Sequence, residues 1–160
     1  MSPHAQKLAP TDPHWGSVLT LAGQLKMPVT LHVTDPACRD YPGRVLTPLG
    51  DFIRWSREFP ATKFILAHWG GGLAFDSESR PLRNVWYDSA ASPLLYGPEV
   101  WARAAKAVGA ERILFGSNYP LVLYPRTEAT PAIASLLAEA NAADASAGVM
   151  GGNAQKLLGW

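Results

Sequence analysis

Lys63-Phe64-Ile65-Leu66-Ala67-His68-Trp69-Gly70-Gly71-Gly72 is the stretch on which the fold turns. A short apolar run, Phe64 to Ala67, meets a polar histidine and then three glycines. An apolar run of that length bounded by turn residues reads as a buried strand, because a helix needs roughly 10–12 residues and avoids glycine. Working outward, three more segments share this build: Pro28–Thr34 (PVTLHVT), Asn84–Asp88 (NVWYD) and Arg112–Ser117 (RILFGS). Each is rich in β-branched or aromatic residues and ends in polar ones.

Helical spacing separates these strands. Val18, Leu21, Ala22 and Leu25 recur at i, i+3, i+4 and i+7. Leu46, Leu49 and Ile53 follow the same pattern, as do Val100, Trp101, Ala104 and Val108, and Ile133, Leu136, Leu137 and Ala140. Asp12-Pro13, Thr47-Pro48 and Thr130-Pro131 each set a capping side chain before a proline, and Gly97-Pro98 is a weaker version. Proline at the first helical position lacks an N–H that would be unpaired there anyway and presets the helical φ. Ala138–Ala147 is alanine-rich and reads as helix, with a break near Gly148. Strands alternating with helices imply parallel pairing, so the expected class is α/β with a parallel sheet in one domain, residues 1–160.

Composition narrows the function classes. The formal net charge is +1 with scattered Lys and Arg, which argues against a nucleic-acid or membrane-surface footprint. The one cysteine, Cys38, cannot form an intrachain disulfide and fits a reducing compartment. Met1–Pro10 lacks the apolar core of a signal peptide, and no segment approaches the roughly 18 apolar residues of a membrane span. The expectation is a soluble cytoplasmic protein.

The polar residues fall at strand ends. His32 closes the first strand, His68 the second and Asp88 the third, while Asn118 follows the fourth. Ligands of parallel α/β sheets bind at the carboxyl ends of the strands, where side chains converge and loops vary freely. Each residue also has a plainer reading. His32 alone is what a hydrogen-bonded core histidine looks like, and the glycines after His68 serve a turn as well as a substrate. Asp88 beside Ser89 suits a cap or turn, and Asn118 before Tyr119-Pro120 suits a turn. Cys38 sits beside Arg39 without a Cys–His signature, so a catalytic thiol is not expected.

In order, Pro28–His32 (PVTLH), Ala67–Gly71 (AHWGG), Val85–Ser89 (VWYDS), Arg112–Pro120 (RILFGSNYP) and Gly152–Leu158 (GNAQKLL) form a known pattern. The chain resembles the C-terminal half of the amidohydrolase-related family of aminocarboxymuconate semialdehyde decarboxylase, resorcylate-type decarboxylases and dicarboxylate lactonases. Thr11-Asp12-Pro13 is similar to that family's lead-in to its fifth strand. The resemblance implies a partial, four-stranded TIM-barrel-like sheet of parallel βα repeats. It implies His32 as metal ligand, His68 as general base or positioning group, and Asn118 where metal-dependent members usually carry aspartate. Gly152-Asn153-Ala154 matches a closing motif that packs the last helix below the barrel.

Two departures bear on the chemistry. The family's His-x-His pair is absent: the four histidines are His4, His14, His32 and His68. Asn118, being neutral, neither balances a cation nor accepts a proton. Two imidazoles fall short of the three protein ligands of a catalytic zinc site, so the expectation is Zn²⁺ or another divalent metal held weakly, or none.

A full (β/α)₈ barrel takes about 250 residues, and half of one exposes sheet edges. Thr30, His32, Phe64 or Leu66, and Trp86 are expected on its inner, partly uncovered face. A homodimer or a complementary N-terminal half would close it, or the sequence is a fragment or shortened frame of a longer enzyme. The functional expectation is a hydrolase of a small carboxylated or lactone substrate, with His68 as base and His32 as metal ligand or polar contact. Arg39, Trp69, Gly70 and Asp88 are the expected substrate contacts, with Arg44 and Arg80 as further carboxylate holders. The alternatives are a metal-dependent decarboxylase and a non-catalytic half-barrel that binds a ligand or partner.

Overall fold

A computed structural model describes residues 1–38, 40, 42–117, 132–143 and 145–160. Its sheet has four strands, β1 (Val29–Leu31), β2 (Phe64–Leu66), β3 (Val85–Asp88) and β4 (Ile113–Leu114), in the order β1-β2-β3-β4. All three pairings are parallel. The helices are α1 (Pro13–Gln24), α2 (Leu49–Glu58), α3 (Ser92–Leu95), α4 (Glu99–Val108), α5 (Ala132–Ala142) and α6 (Asn153–Leu158). The chain thus forms an α/β half-barrel of parallel strands with helical crossovers, as the strand and helix spacings imply.

Register decides which residues face which side. Val29, Leu31, Phe64, Leu66, Val85 and Tyr87 are buried in one core with Trp15 and Leu19 of α1, Phe52 and Trp55 of α2, and Val100 and Trp101 of α4. Thr30 pairs with Ile65, and Ile65 with Trp86, so these three share the opposite face. Phe64 and Leu66 therefore do not lie on the inner face as expected; Ile65 does. Thr30 is exposed there, and Ile65 and Trp86 are half-buried.

The helix spacings hold unevenly. Val100, Trp101, Ala104 and Val108 are all buried, as their periodicity predicts. On α1 the spacing picked out the wrong stripe: Val18, Leu21 and the following Leu25 are 42%, 53% and 58% exposed, while Trp15 and Leu19 are buried. On α5, Leu136 and Ala140 are buried but Ile133 and Leu137 are exposed. Helix α5 ends at Ala142, short of the alanine-rich tract's end at Ala147.

Among the caps, Asp12 behaves as expected: its Oδ1 accepts the backbone N–H of His14 at 2.8 Å. Thr47 does not. Its Oγ accepts the N–H of Thr34 at 2.8 Å, tying the start of α2 to the end of β1, and Pro48 takes the cap position without a side-chain bond. Pro98 likewise caps α4 without one. Thr130-Pro131 lies outside the described residues.

The amino ends of the strands are closed by buried polar anchors. Arg112 donates to the carbonyls of Val108, Leu82 and Arg80. Asn84 Nδ2 reaches the carbonyls of Ser56, Phe59 and Thr62. Asn153 Nδ2 binds those of Ala110 and Ile113, at the start of β4, fixing α6 below the sheet as the closing motif implies.

Candidate active site

The site is built around an unusual backbone. From His68 to Gly72 every residue has positive φ: 57°, 56°, 60°, 62° and 102°. For a residue with a Cβ this left-handed region costs roughly 1–2 kcal/mol, so His68 and Trp69 hold it only because surrounding contacts fix them. Gly70 and Gly71 are also required by packing. A Cβ on Gly70 would stand 2.9 Å from the Tyr87 ring, and one on Gly71 would stand 2.9 Å from Val33 Cγ1.

This turn swings the His68 ring over the end of β1. His68 Nδ1 lies 2.9 Å from the carbonyl of Val33, and that oxygen can only accept, so Nδ1 carries a proton and in the neutral ring the lone pair belongs to Nε2. The His32 and His68 rings meet edge to face with centroids 5.1 Å apart. His32 Nε2 is 3.1 Å from Thr34 Oγ1, and the Thr34 hydroxyl spends its own proton on the Val45 carbonyl at 2.7 Å. Thr34 therefore accepts from His32 Nε2–H, which assigns the lone pair of His32 to Nδ1. Burial first, then the charge of His68 and the amino terminus, holds His32 below the ordinary histidine range, so it stays neutral.

Asp88 completes the constellation. Its Oδ1 accepts the backbone N–H of His68 at 3.1 Å and of Ala90 at 3.0 Å. Burial lifts its pKa above the usual carboxylate range, against the opposing pull of the His68 amide, the His68 charge and the Ala90 amide. Gly116, just past β4, lets that strand end pass close by: a Cβ there would sit 3.1 Å from the Asp88 Cβ. Asp88 thus anchors the His68 turn by its backbone, a role the sequence reading assigned only in part.

The other expected contacts divide. Trp69 goes to the core rather than to a ligand: it is fully buried, and its indole N–H donates to Ser92 Oγ at 2.9 Å. Gly70 is buried against Tyr87 and is not open to substrate. Arg80 sits at the wrong end of the sheet, because the turns through Ser79 carry the chain back to the start of β3, where the Arg80 carbonyl receives Arg112. Arg44 does lie in the loop after β1, paired with Asp40 at 2.6 Å and with the Pro36 carbonyl at 3.3 Å. Asn118 and Arg39 lie outside the described residues.

Several residues escaped the sequence reading. Thr34 follows His32 by two positions on the same face, and that spacing was the available signal. Asp35 is buried beside it and accepts a hydrogen bond from Tyr96, linking the loops after β1 and β3. Nothing in the sequence pairs two residues so far apart.

Among the described residues no three His, Cys, Asp or Glu side chains come together as a metal-binding group. His32 and His68 alone do not make a metal centre. No described helix is long and apolar enough to cross a membrane. A groove of about 520 Å³ between Arg57, Lys63, Arg83 and Trp86 lies at the amino ends of β2 and β3, away from both histidines.

Comparison with known proteins agrees with this architecture. Residues 1–160 match the amidohydrolase family model from end to end, and the chain belongs to that family. No curated protein matches it. Among solved structures it is similar to amidohydrolase 2 from Bifidobacterium longum subsp. infantis (17% identity, TM-score 0.67, covering 94% of this chain and 56% of that one). It is similar to a dihydroxybenzoic acid decarboxylase from Polaromonas sp. JS666 with bound manganese and 2-nitroresorcinol (20%, 0.62, 92% and 53%). A zinc-bound amidohydrolase from Burkholderia multivorans is also similar (16%, 0.68, 99% and 63%). These are TIM-barrel proteins, and the chain spans little more than half their length.

Proposed function

We propose that this chain supplies the carboxyl-terminal half-site of an amidohydrolase-type hydrolase acting on a small carboxylated or lactone substrate. The observation that carries the reading is His68 at the strand ends, with Nδ1 held by the Val33 carbonyl and Nε2 left as a base beside a neutral His32. His68 Nε2 takes the proton of the attacking water as the carbonyl carbon becomes tetrahedral, then returns it to the leaving alkoxide. His32 contacts the substrate or the water through Nδ1.

The manganese and zinc of the similar structures support a divalent metal as companion to this site. The described residues offer it two imidazoles, His32 and His68, so such a metal would need further ligands from outside the described residues. A decarboxylase is the second reading, supported by the likeness to the Polaromonas enzyme. In it, protonated His68 delivers a proton to the carbon that loses CO₂.

The test is turnover of a lactone and aromatic-carboxylate panel by the purified chain, with metal content measured alongside. His68→Gln should lower kcat/KM by about 10²–10⁴-fold, the span of general-base catalysis, without loss of fold. Equal turnover by His68→Gln would overturn the assignment. A wild-type protein that binds panel members without converting them would leave a non-catalytic half-barrel.

A further inference from the structure

We propose that Glu139 of α5 is a positioning residue for His68, acting through Ser92 and Trp69; the word positioning rests on the reading of His68 as the base. Glu139 is a buried carboxylate, 8% exposed, far from the histidines in sequence and unused by the proposed chemistry. One of its oxygens, Oε1, accepts the Ser92 hydroxyl at 2.7 Å and the Trp101 indole N–H at 2.8 Å. Ser92 Oγ in turn accepts the indole N–H of Trp69 at 2.9 Å.

The order of donors fixes the direction of the relay. Each indole N–H can only donate, so Ser92 must accept from Trp69 and pass its own proton toward Glu139. The carboxylate thus completes two charge-assisted hydrogen bonds and orients the serine that holds Trp69. Trp69 is the second residue of the left-handed turn, with φ 56°, and its ring packs edge-on against Trp101 at 5.1 Å. A residue with a Cβ does not keep such a backbone without outside restraint. His68 precedes it directly, so the same restraint sets where the His68 ring meets the Val33 carbonyl.

A chain of two hydrogen bonds therefore joins the helix after β4 to the base on the loop after β2. Loss of the carboxylate leaves Ser92 free to rotate its proton elsewhere. Trp69 then has no oriented acceptor, and the turn relaxes from its left-handed geometry.

Nitrogen-15 NMR of the histidine rings in the resting full chain, assigned with His→Gln variants, reads this directly. A fixed Nδ1–H tautomer keeps the two ring nitrogens of His68 at widely separated shifts. Ser92→Ala and Glu139→Leu should each make them converge toward an averaged value, while Glu139→Gln, which keeps an acceptor oxygen, should preserve the separation. Leu157→Ala, buried in α6 and outside this chain of bonds, should lower the melting temperature and leave the His68 signals apart. Separated signals in Ser92→Ala would overturn the proposal, as would equal convergence in Leu157→Ala. Should Glu139→Leu fail to fold, Ser92→Ala decides. No substrate is present, so an inactive His68 would sink the proposed function and leave this result standing.

Discussion

Glycines 70 and 71 illustrate how much a single position carries in this fold. Alanine at either has to adopt a φ near +60° and place a methyl 2.9 Å from a neighbouring side chain. Left-handed strain of about 1–2 kcal/mol and overpacking of about 1–3 kcal/mol together predict a loss of roughly 2–5 kcal/mol in urea unfolding. Gly72→Ala, with nothing within 4 Å of its added methyl, should lose only the strain. Equal losses at all three would show that packing is not the cause. Tyr87 offers a test of charge. Burial pushes its phenol from 10.0 up to about 12, and among the described residues its hydroxyl has no hydrogen-bond partner of good geometry. The folded state therefore binds this proton more tightly than the unfolded state does. The associated stability is whole below pH 10 and is lost as pH rises through about 12. Tyr87→Phe should cost little at neutral pH and should show a smaller alkaline loss than wild type in that window. Parallel wild-type and variant curves would contradict it.

Two similar-looking sequence signals do different work at the level of elements. Asp12-Pro13 is a helix start in both senses, and Asp12→Ala should cost about 1 kcal/mol, the usual worth of an N-cap. Thr47-Pro48 carries the same signal, yet Thr47 turns toward the Thr34 backbone. Thr47→Val leaves a buried N–H unpaired, which costs roughly 1–3 kcal/mol, and it loosens the residue that receives His32. Thr47→Ser should restore both stability and the His32 ring environment. Denaturant midpoints with histidine NMR distinguish the two threonine roles: a Thr47→Val loss with no change at His32 would leave Thr47 as a structural tie alone.

At the scale of the whole chain, four parallel strands make part of the TIM-barrel architecture of the similar structures. Among the described residues, Thr30, Ile65 and Trp86 make a sheet face without a covering layer, and Val18, Leu21, Leu25, Ile133 and Leu137 on and beside α1 and α5 are exposed. The edge of β1 is only partly used: Met1 donates to the Thr30 carbonyl at 2.6 Å and accepts the His32 N–H at 2.8 Å. Uncovered edges and apolar stripes drive association. Light scattering at high concentration should thus give more than the single-chain mass, and Leu21→Lys with Leu25→Lys should reduce it. A wild-type chain that stays monomeric and soluble would sink self-association.

Sequence alone determined the class and which residues stand at the strand ends. Apolar runs closing on His32, His68 and Asp88 place these residues at strand ends whatever the details of packing, because strand direction follows from parallel pairing. The motif order likewise pointed to the family. Tertiary structure decided what each residue faces. Ile65 rather than Phe64 or Leu66 joins the inner face because register couples it to Thr30 and Trp86. Trp69 and Gly70 belong to the core because a left-handed turn, held by contacts remote in sequence, directs them there. Glu139 became visible only when α5 packed beside Ser92 and Trp101. Local spacing encodes periodicity and strand ends, while long-range hydrogen bonds depend on which elements become neighbours.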